Sequence, residues 1–450
     1  MKEAKQASFR DPAGFVFEED GELFRQILPY GRTAFEAFQH SGLARRLMEQ
    51  GKMAPYSVVS DNKEGIVLQI KRLEYVTYPY EWCFSQLRDA ALQTLELMVE
   101  ALDNGLILKD ASAFNVAFQK CRPVFLDHTS FEIYQEGSSW MAYRQFMMHF
   151  AAPLLLMQKV DLRCLQLFRS DIDGIPLDLA SHLLPMHTWF QLNPLLHIHL
   201  HSVLETKVSS DKTRRRTAPI SKKRLLALLE GLRSWIASMK MPKQATPWEN
   251  YYNDNSYSAE AFVAKLQIVK EYCSRNRFRS LIDLGANCGV FTKIAAESVG
   301  FVIAADYDQR AVEALYSLGK AHKAEIQPLL LDLNNPSPDL GVLCVERDSF
   351  FGRTKVDCAL ALALIHHLRI TGNWSLAHIV SLFDKLASNA LVEFVPLDDV
   401  QVQRLTRGRD EIYQDWSLDN VCKAFQEKFN VCGTYPIPGS GRVLIEISRR

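Results

Sequence analysis

Three groups of residues in this 450-residue chain have the types and spacing to do chemistry. In SLIDLGANCGVFTKIAAESVGFVIAADYD, Asp283 ends an apolar run, Gly285, Asn287 and Gly289 alternate behind it, and Asp306 ends the next apolar run about twenty residues later. Glycines at a sharp turn let backbone approach a ligand, N–H groups at a new helix can hold a carboxylate, and an acid ending the second strand can accept hydrogen bonds from two ribose hydroxyls. In LKDASAFNVAFQKCRPVFLDHTSFE, Asp110, Asn115 and Asp127 are hard oxygen donors of the kind that hold magnesium, and a loop acid can receive a hydroxyl proton. His366 and His367 follow the apolar run VDCALALALI, and Glu393 lies in LVEFVP; all three are candidate proton acceptors or orienting groups. Each has a structural alternative: packed histidines, and for Glu393 an ion pair with a helix partner.

The elements around these residues differ between the two halves. From SAEAFVAKLQIVKEYC onward helix and strand alternate through SLIDLG, VFTKIAAESV, FVIAAD, QRAVEALYSLG, IQPLLLD, VDCALALAL, SLAHIVSLFDKLAS and ALVEFVP. That alternation predicts a parallel sheet covered by helices. Earlier, the runs GFVF, ELFRQIL, GIVLQI and YVTYP read as short strands, followed by a helix over FSQLRDAALQTLELMVEALDNG. Leu87, Ala91, Leu95, Met98 and Leu102 recur there at helical spacing and Gly105 marks the stop. NVAF and PVFLD flank a QKCR turn, and the stretch to about residue 206 reads mostly helical.

Lys plus Arg balances Asp plus Glu, so nucleic acid is not expected as a partner. The nine cysteines never form C-x-x-C, and no apolar run reaches the ~18 residues a membrane span needs. These observations predict a cytoplasmic protein with reduced thiols and no membrane partner. VSSDKTRRRTAPISKKR gathers Lys212, Arg214, Arg215, Arg216, Lys222 and Lys223 against Asp211 and reads as a basic linker. WENYYNDNSYS, with Tyr252 and Tyr257, reads as a flap or as packing, and RLTRGRDEIYQDW as a pocket wall. HIHLH, with His197, His199 and His201, has metal-ligating types but no further ligand at useful spacing.

The stretch LIDLGANCG with its flanking elements and Asp306 resembles the class I (Rossmann-like) S-adenosylmethionine-dependent methyltransferases, over roughly residues 245 to 450. The resemblance implies a seven-stranded sheet ending in a strand hairpin, FNVCGTYPIPGSGRVLIEISRR. It implies that S-adenosylmethionine is held by Asp283, Gly285, Asn287, Gly289 and Asp306, with Asp332 near the adenine, and that His366, His367 or Glu393 stands at the acceptor side. Asp110, Asn115 and Asp127 resemble the catalytic and metal-binding loops of protein kinases and aminoglycoside phosphotransferases. That resemblance implies an α+β kinase-like domain with Asp110 as the loop acid and Asn115 and Asp127 as magnesium ligands for Mg-ATP. Arg25 would stand where kinases have Lys, with Glu36 as its ion partner.

The expected plan is a kinase-like or pseudokinase domain over 1–206, a basic linker and connecting helix over 207–242, and a methyltransferase domain over 243–450. The pairing also resembles bacterial methyltransferases related to rhizobial nodulation proteins. Three readings follow: a methyltransferase whose first domain recognises substrate or regulates, acting on a small molecule or protein; a bifunctional kinase and methyltransferase; and a cofactor-binding scaffold without activity.

Overall fold

The computed structural model describes residues 8–203, 219–243, 258–322, 325–406 and 410–450. The chain divides into two compact units, one of residues 1–243 with 339–348 and one of residues 244–338 with 349–450. The central basic run (212–216) and the aromatic segment carrying Tyr252 and Tyr257 lie outside the described residues.

The first unit begins with an antiparallel sheet of β1 (Gly14–Glu19), β2 (Glu22–Ile27), β3 (Tyr56–Asn62) and β4 (Gly65–Ile70), in the order β1-β2-β4-β3. Asp20 and Gly21, both left-handed, close the two-residue turn between β1 and β2, and this turn type matches the twist of the strands it joins. The helix Phe84–Asp103 buries Leu87, Ala91, Leu95, Met98 and Leu102, and ends at Asn104 before Gly105 at φ 73°. After it come β5 (Leu106–Leu108), the hairpin β6 (Val116–Gln119) and β7 (Arg122–Phe125), and β8 (Phe131–Ile133), which pairs with β5. The predicted QKCR turn is present, with Lys120 and Cys121 both left-handed.

Two expectations are corrected here. YVTYP is not a strand; it runs into the single turn Pro79–Glu81, with Tyr75, Thr77 and Tyr80 buried. The strand that completes the sheet is β3, whose side chains are mostly exposed, so it lacks the apolar alternation by which strands are recognised. The helix Lys222–Ser238 belongs to the first unit and packs along Phe84–Asp103, burying Leu225, Leu229, Leu232 and Ile236. Residues 339–348 join the same unit through Glu346, which takes two hydrogen bonds from Arg10 at 2.7 and 3.0 Å.

The second unit is built on seven strands: β9 (Ser280–Leu284), β10 (Phe301–Asp306), β11 (Ile326–Leu330), β12 (Val356–Ala361), β13 (Ala387–Phe394), β14 (Phe429–Pro436) and β15 (Val443–Arg449). Their order is β11-β10-β9-β12-β13-β15-β14, the first five parallel and β15 antiparallel to both neighbours. The inner strands are covered on both faces, so they read as continuous apolar runs. Leu281, Val302, Cys358, Leu360, Leu391 and Leu444 pack with Ala261, Val269 and Cys273 of the helix Ala259–Asn276 and with Phe291 and Ala295. From β9 the chain steps outward through β10 to β11, then returns to the other side of β9 at β12. That reversal opens a crevice beyond the carboxyl ends of the strands, where parallel sheets bind ligands.

Candidate functional site

A cavity of about 360 Å³ opens in this crevice. Asp283 and Asp306 line it, and the turn between β9 and the helix Val290–Ala295 forms one wall. Gly285 (φ 73°) and Asn287 (φ 49°) are both left-handed, so the backbone doubles back tightly; the N–H groups of Gly285 and Ala286 both donate to the Ala305 carbonyl, at 2.9 and 3.0 Å. The Asn287 N–H donates to Asp306 at 2.8 Å and the Asp308 N–H donates to its other oxygen at 2.9 Å. Asp306 is thereby fixed at the mouth of the turn. Asp283 accepts a hydrogen bond from the Thr292 hydroxyl at 2.6 Å.

Both carboxyls are pushed up to about 6, chiefly by burial, and the Asp306 charge adds to the rise at Asp283. Two acids are thus held side by side at the edge of ionisation, an arrangement suited to a ligand that brings positive charge and hydroxyl donors.

The cavity gathers most of the predicted cofactor residues and separates the rest. Asp283, Gly285, Asn287, Asp306 and Asp332 all line it, with Asp332 exposed just beyond β11. Gly289 does not. A Cβ there would lie 2.7 Å from Leu315 Cδ2 and 2.9 Å from Leu318 Cδ2, so this glycine lets the helix Gln309–His322 approach the turn. The missing Cβ thus serves this packing. Of the two histidines, His367 lines the cavity and His366 is buried beside it, with ring centroids 4.3 Å apart. His367 is lowered to about 4 by burial and by the Arg442 charge, so it is neutral at pH 7 and a weaker base than a free imidazole.

Glu393 is fully buried, is not among the cavity-lining residues, and accepts a hydrogen bond from Lys265 at 2.7 Å; Arg442 stands 3.5 Å from its other oxygen. Its expected place as a catalytic group is replaced by the ion pair with a helix partner. Lys265 is the residue that sequence reasoning missed. It lines the cavity at the Asp283 end, 2 % exposed, with its ammonium 4.6 Å from the Phe291 ring centroid. Its signal was a lysine on the apolar stripe Ala261, Lys265, Val269, Cys273 of an amphipathic helix.

In the first unit, Asp110 and Asp127 converge: the Asp127 charge, after burial, helps to raise Asp110. Arg25, from β2, forms an ion pair with Asp127 and donates to Thr129 at 2.7 Å, while Ser130 donates to the other Asp127 oxygen. Asp127 is half-buried, and Arg25 and the hydroxyls hold it down to about 2. Glu36, expected to partner Arg25, instead pairs with Arg32 at 3.0 Å. Asn115 is half-buried in the turn between Asp110 and β6. His199 is held by Ser181 and Thr188, and the Tyr143 hydroxyl lies 2.6 Å from His197. Among the described residues no group of three His, Cys, Asp or Glu side chains could hold a metal ion, and no helix is long and apolar enough to cross a membrane.

The seven-stranded sheet with its antiparallel terminal hairpin, glycine turn and acid-lined crevice gives the second unit a Rossmann-like α/β fold. No family model matches the sequence. The chain is 35% identical over 462 residues to nodulation protein NoeA of Rhizobium meliloti (strain 1021), covering 98% of this chain and 95% of that protein, and it belongs to the NoeA family. Among solved structures it is similar to the N-methyltransferase NodS from Bradyrhizobium japonicum, in complex with S-adenosyl-l-homocysteine: 12% identity, 46% of this chain and 93% of that one, TM-score 0.33. It is also similar to magnesium protoporphyrin IX methyltransferase from Synechocystis, with 13% identity, 45% and 92% coverage and a TM-score of 0.32.

The raised acids carry a stability consequence. A carboxyl whose folded pKa exceeds its unfolded value favours the fold below the unfolded pKa, and that contribution is lost as pH rises through about 6. Asp283→Asn, which keeps an oxygen for Thr292, is expected to melt above the unliganded wild type at pH 7, with the difference closing by pH 4. Differential scanning calorimetry across that range checks it.

Proposed function

We propose that the protein is an S-adenosylmethionine-dependent methyltransferase acting on an unidentified acceptor, and that its first unit is a kinase-like domain that recognises the substrate or regulates. The observation that carries the reading is the fixed Asp306 carboxylate at the mouth of the Gly285–Asn287 turn, inside an acid-lined cavity at the reversal point of the sheet. These residues fit the cofactor. Asp306 would hold the ribose hydroxyls, Gly285 and Asn287 give room and turn geometry for the methionine portion, Asp283 would face its amine, and Asp332 would stand near the adenine.

When bound, the cofactor supplies an electrophilic methyl group on a positively charged sulfur. The chain then has to align the acceptor and exclude water. Phe262, Phe291, Leu364 and Leu368 supply apolar walls. His367, neutral and lining the cavity, would take the proton when the acceptor's nucleophile carries one.

The kinase-like reading of the first unit is supported by the four-stranded sheet, by the convergence of Asp110 and Asp127, and by Arg25 reaching Asp127 from β2. The same contacts pair the Asp127 carboxylate with the Arg25 guanidinium, a cation in place of a metal ion, which favours recognition over phosphoryl transfer. The name of its NoeA relative supports a search for the acceptor among compounds made for nodulation.

Asp306→Ala is expected to weaken S-adenosylmethionine binding by about tenfold or more, the scale of charge-assisted hydrogen bonds lost from one carboxylate, as read by calorimetric titration. Unchanged affinity would contradict the cradle. Mg-ATP titrated into the full-length protein is expected to give no saturable heat; saturable binding abolished by Asp127→Ala would restore the bifunctional reading.

A further inference from the structure

The first unit carries an exposed apolar patch that the chemistry above does not use. Three successive elements supply it and pack against one another: the helix Leu177–Leu183, the turns Met186–Phe190, and a helical stretch over 192–203. Leu183, Met186, Phe190, Leu192, Leu196 and Leu200 all lie open to solvent, with Met186 77 %, Phe190 88 % and Leu192 70 % exposed. The last stretch has two faces. Pro194, Ile198 and Ser202 are buried at every fourth position, and Leu192, Leu196 and Leu200 are exposed at the same spacing, with Val203 continuing the exposed stripe. From Leu183 to Leu204 the sequence holds no Asp, Glu, Lys or Arg, so these elements put no such charge into the patch. Single exposed apolar side chains are ordinary, whereas large ones gathered on one surface mark a contact.

We infer that this patch seats the first unit on the surface of an anionic lipid bilayer. Charge decides the occupant. Directly after the patch the sequence turns basic, with Lys207, Lys212, Arg214, Arg215 and Arg216 against Glu205 and Asp211, in a chain whose total charge is balanced. Stable attachment of a peripheral protein takes two signals together: apolar side chains that enter the headgroup boundary, and nearby cations that meet negatively charged headgroups. The sequence sets the two side by side. A second copy of the chain fits less well, because a two-fold pair repeats the same basic run on both sides of the contact, where like charges repel. Anionic lipid brings the opposite charge. Only the bilayer surface is entered, since among the described residues no helix is long and apolar enough to cross a membrane. The expectation of no membrane partner gives way here to a surface contact, which neither a balanced total charge nor the lack of a span argues against.

The test is co-sedimentation of the full-length protein with vesicles of phosphatidylcholine alone and of phosphatidylcholine and phosphatidylserine in equal parts. Partitioning onto the anionic vesicles is expected to be stronger by about tenfold or more, and to fall as salt is raised. Phe190→Ser, and separately Met186→Ser with Leu192→Ser, replace side chains that stand in solvent. Both variants are expected to keep the wild-type melting temperature and to lose about tenfold or more of the vesicle binding. Wild-type binding to neither vesicle, or equally to both, overturns the proposal, as does undiminished binding by both variants. A wild-type dimer in light scattering that Phe190→Ser converts to a monomer, with no vesicle binding, assigns the face to a second copy and overturns it too.

Discussion

The second unit depends on keeping two carboxylates out of water at the ends of adjacent parallel strands. Burying an ionised acid is costly, and two neighbours raise the cost for each other. The fold meets this locally. The β9 turn aims the Asn287 N–H at Asp306, the Asp308 N–H takes the other oxygen, and Thr292 supplies a hydroxyl to Asp283. The turn can do so because Gly285 and Asn287 take left-handed conformations and Gly289 lets the next helix close behind them. A ligand with hydroxyl and ammonium donors would supply what remains of the stabilisation.

The Lys265–Glu393–Arg442–Asp399 cluster follows the same logic on the neighbouring strands. Buried ion pairs stabilise a fold weakly, because desolvation consumes most of the attraction. What they fix is geometry. This one joins the helix Ala259–Asn276, β13 and the segment leading into β15, and it sets an ammonium against the cavity wall. The antiparallel hairpin β14–β15, at the edge of an otherwise parallel sheet, is therefore connected with the ligand crevice through Arg442 as well as through backbone pairing.

Much of this architecture was legible in the sequence. The inner strands announce themselves as apolar runs because both of their faces are covered, and the turn residues and Asp306 stand at intervals that a strand, turn, helix and strand require. What stayed hidden has physical causes. Gly289 has the spacing of a ligand glycine, yet its missing Cβ is needed by Leu315 and Leu318, a distinction that only packing reveals. Glu393 and Lys265 lie 128 positions apart and meet in the fold, so neither could be assigned singly. β3 was hidden by its exposure, and residues 339–348 by the pairing of Glu346 with Arg10, 336 positions away.

In the first unit the sequence placed Asp110, Asn115 and Asp127 in a loop, turn and hairpin that the structure contains, but it paired Arg25 with the wrong acid. The most direct test of the central claim is a crystal structure of the full chain with S-adenosylhomocysteine. The account predicts both ribose hydroxyls within hydrogen-bond distance of the Asp306 carboxylate and the amino-acid end beside Asp283. A nucleoside bound elsewhere, or an Asp306 carboxylate that contacts only protein in the complex, would contradict it.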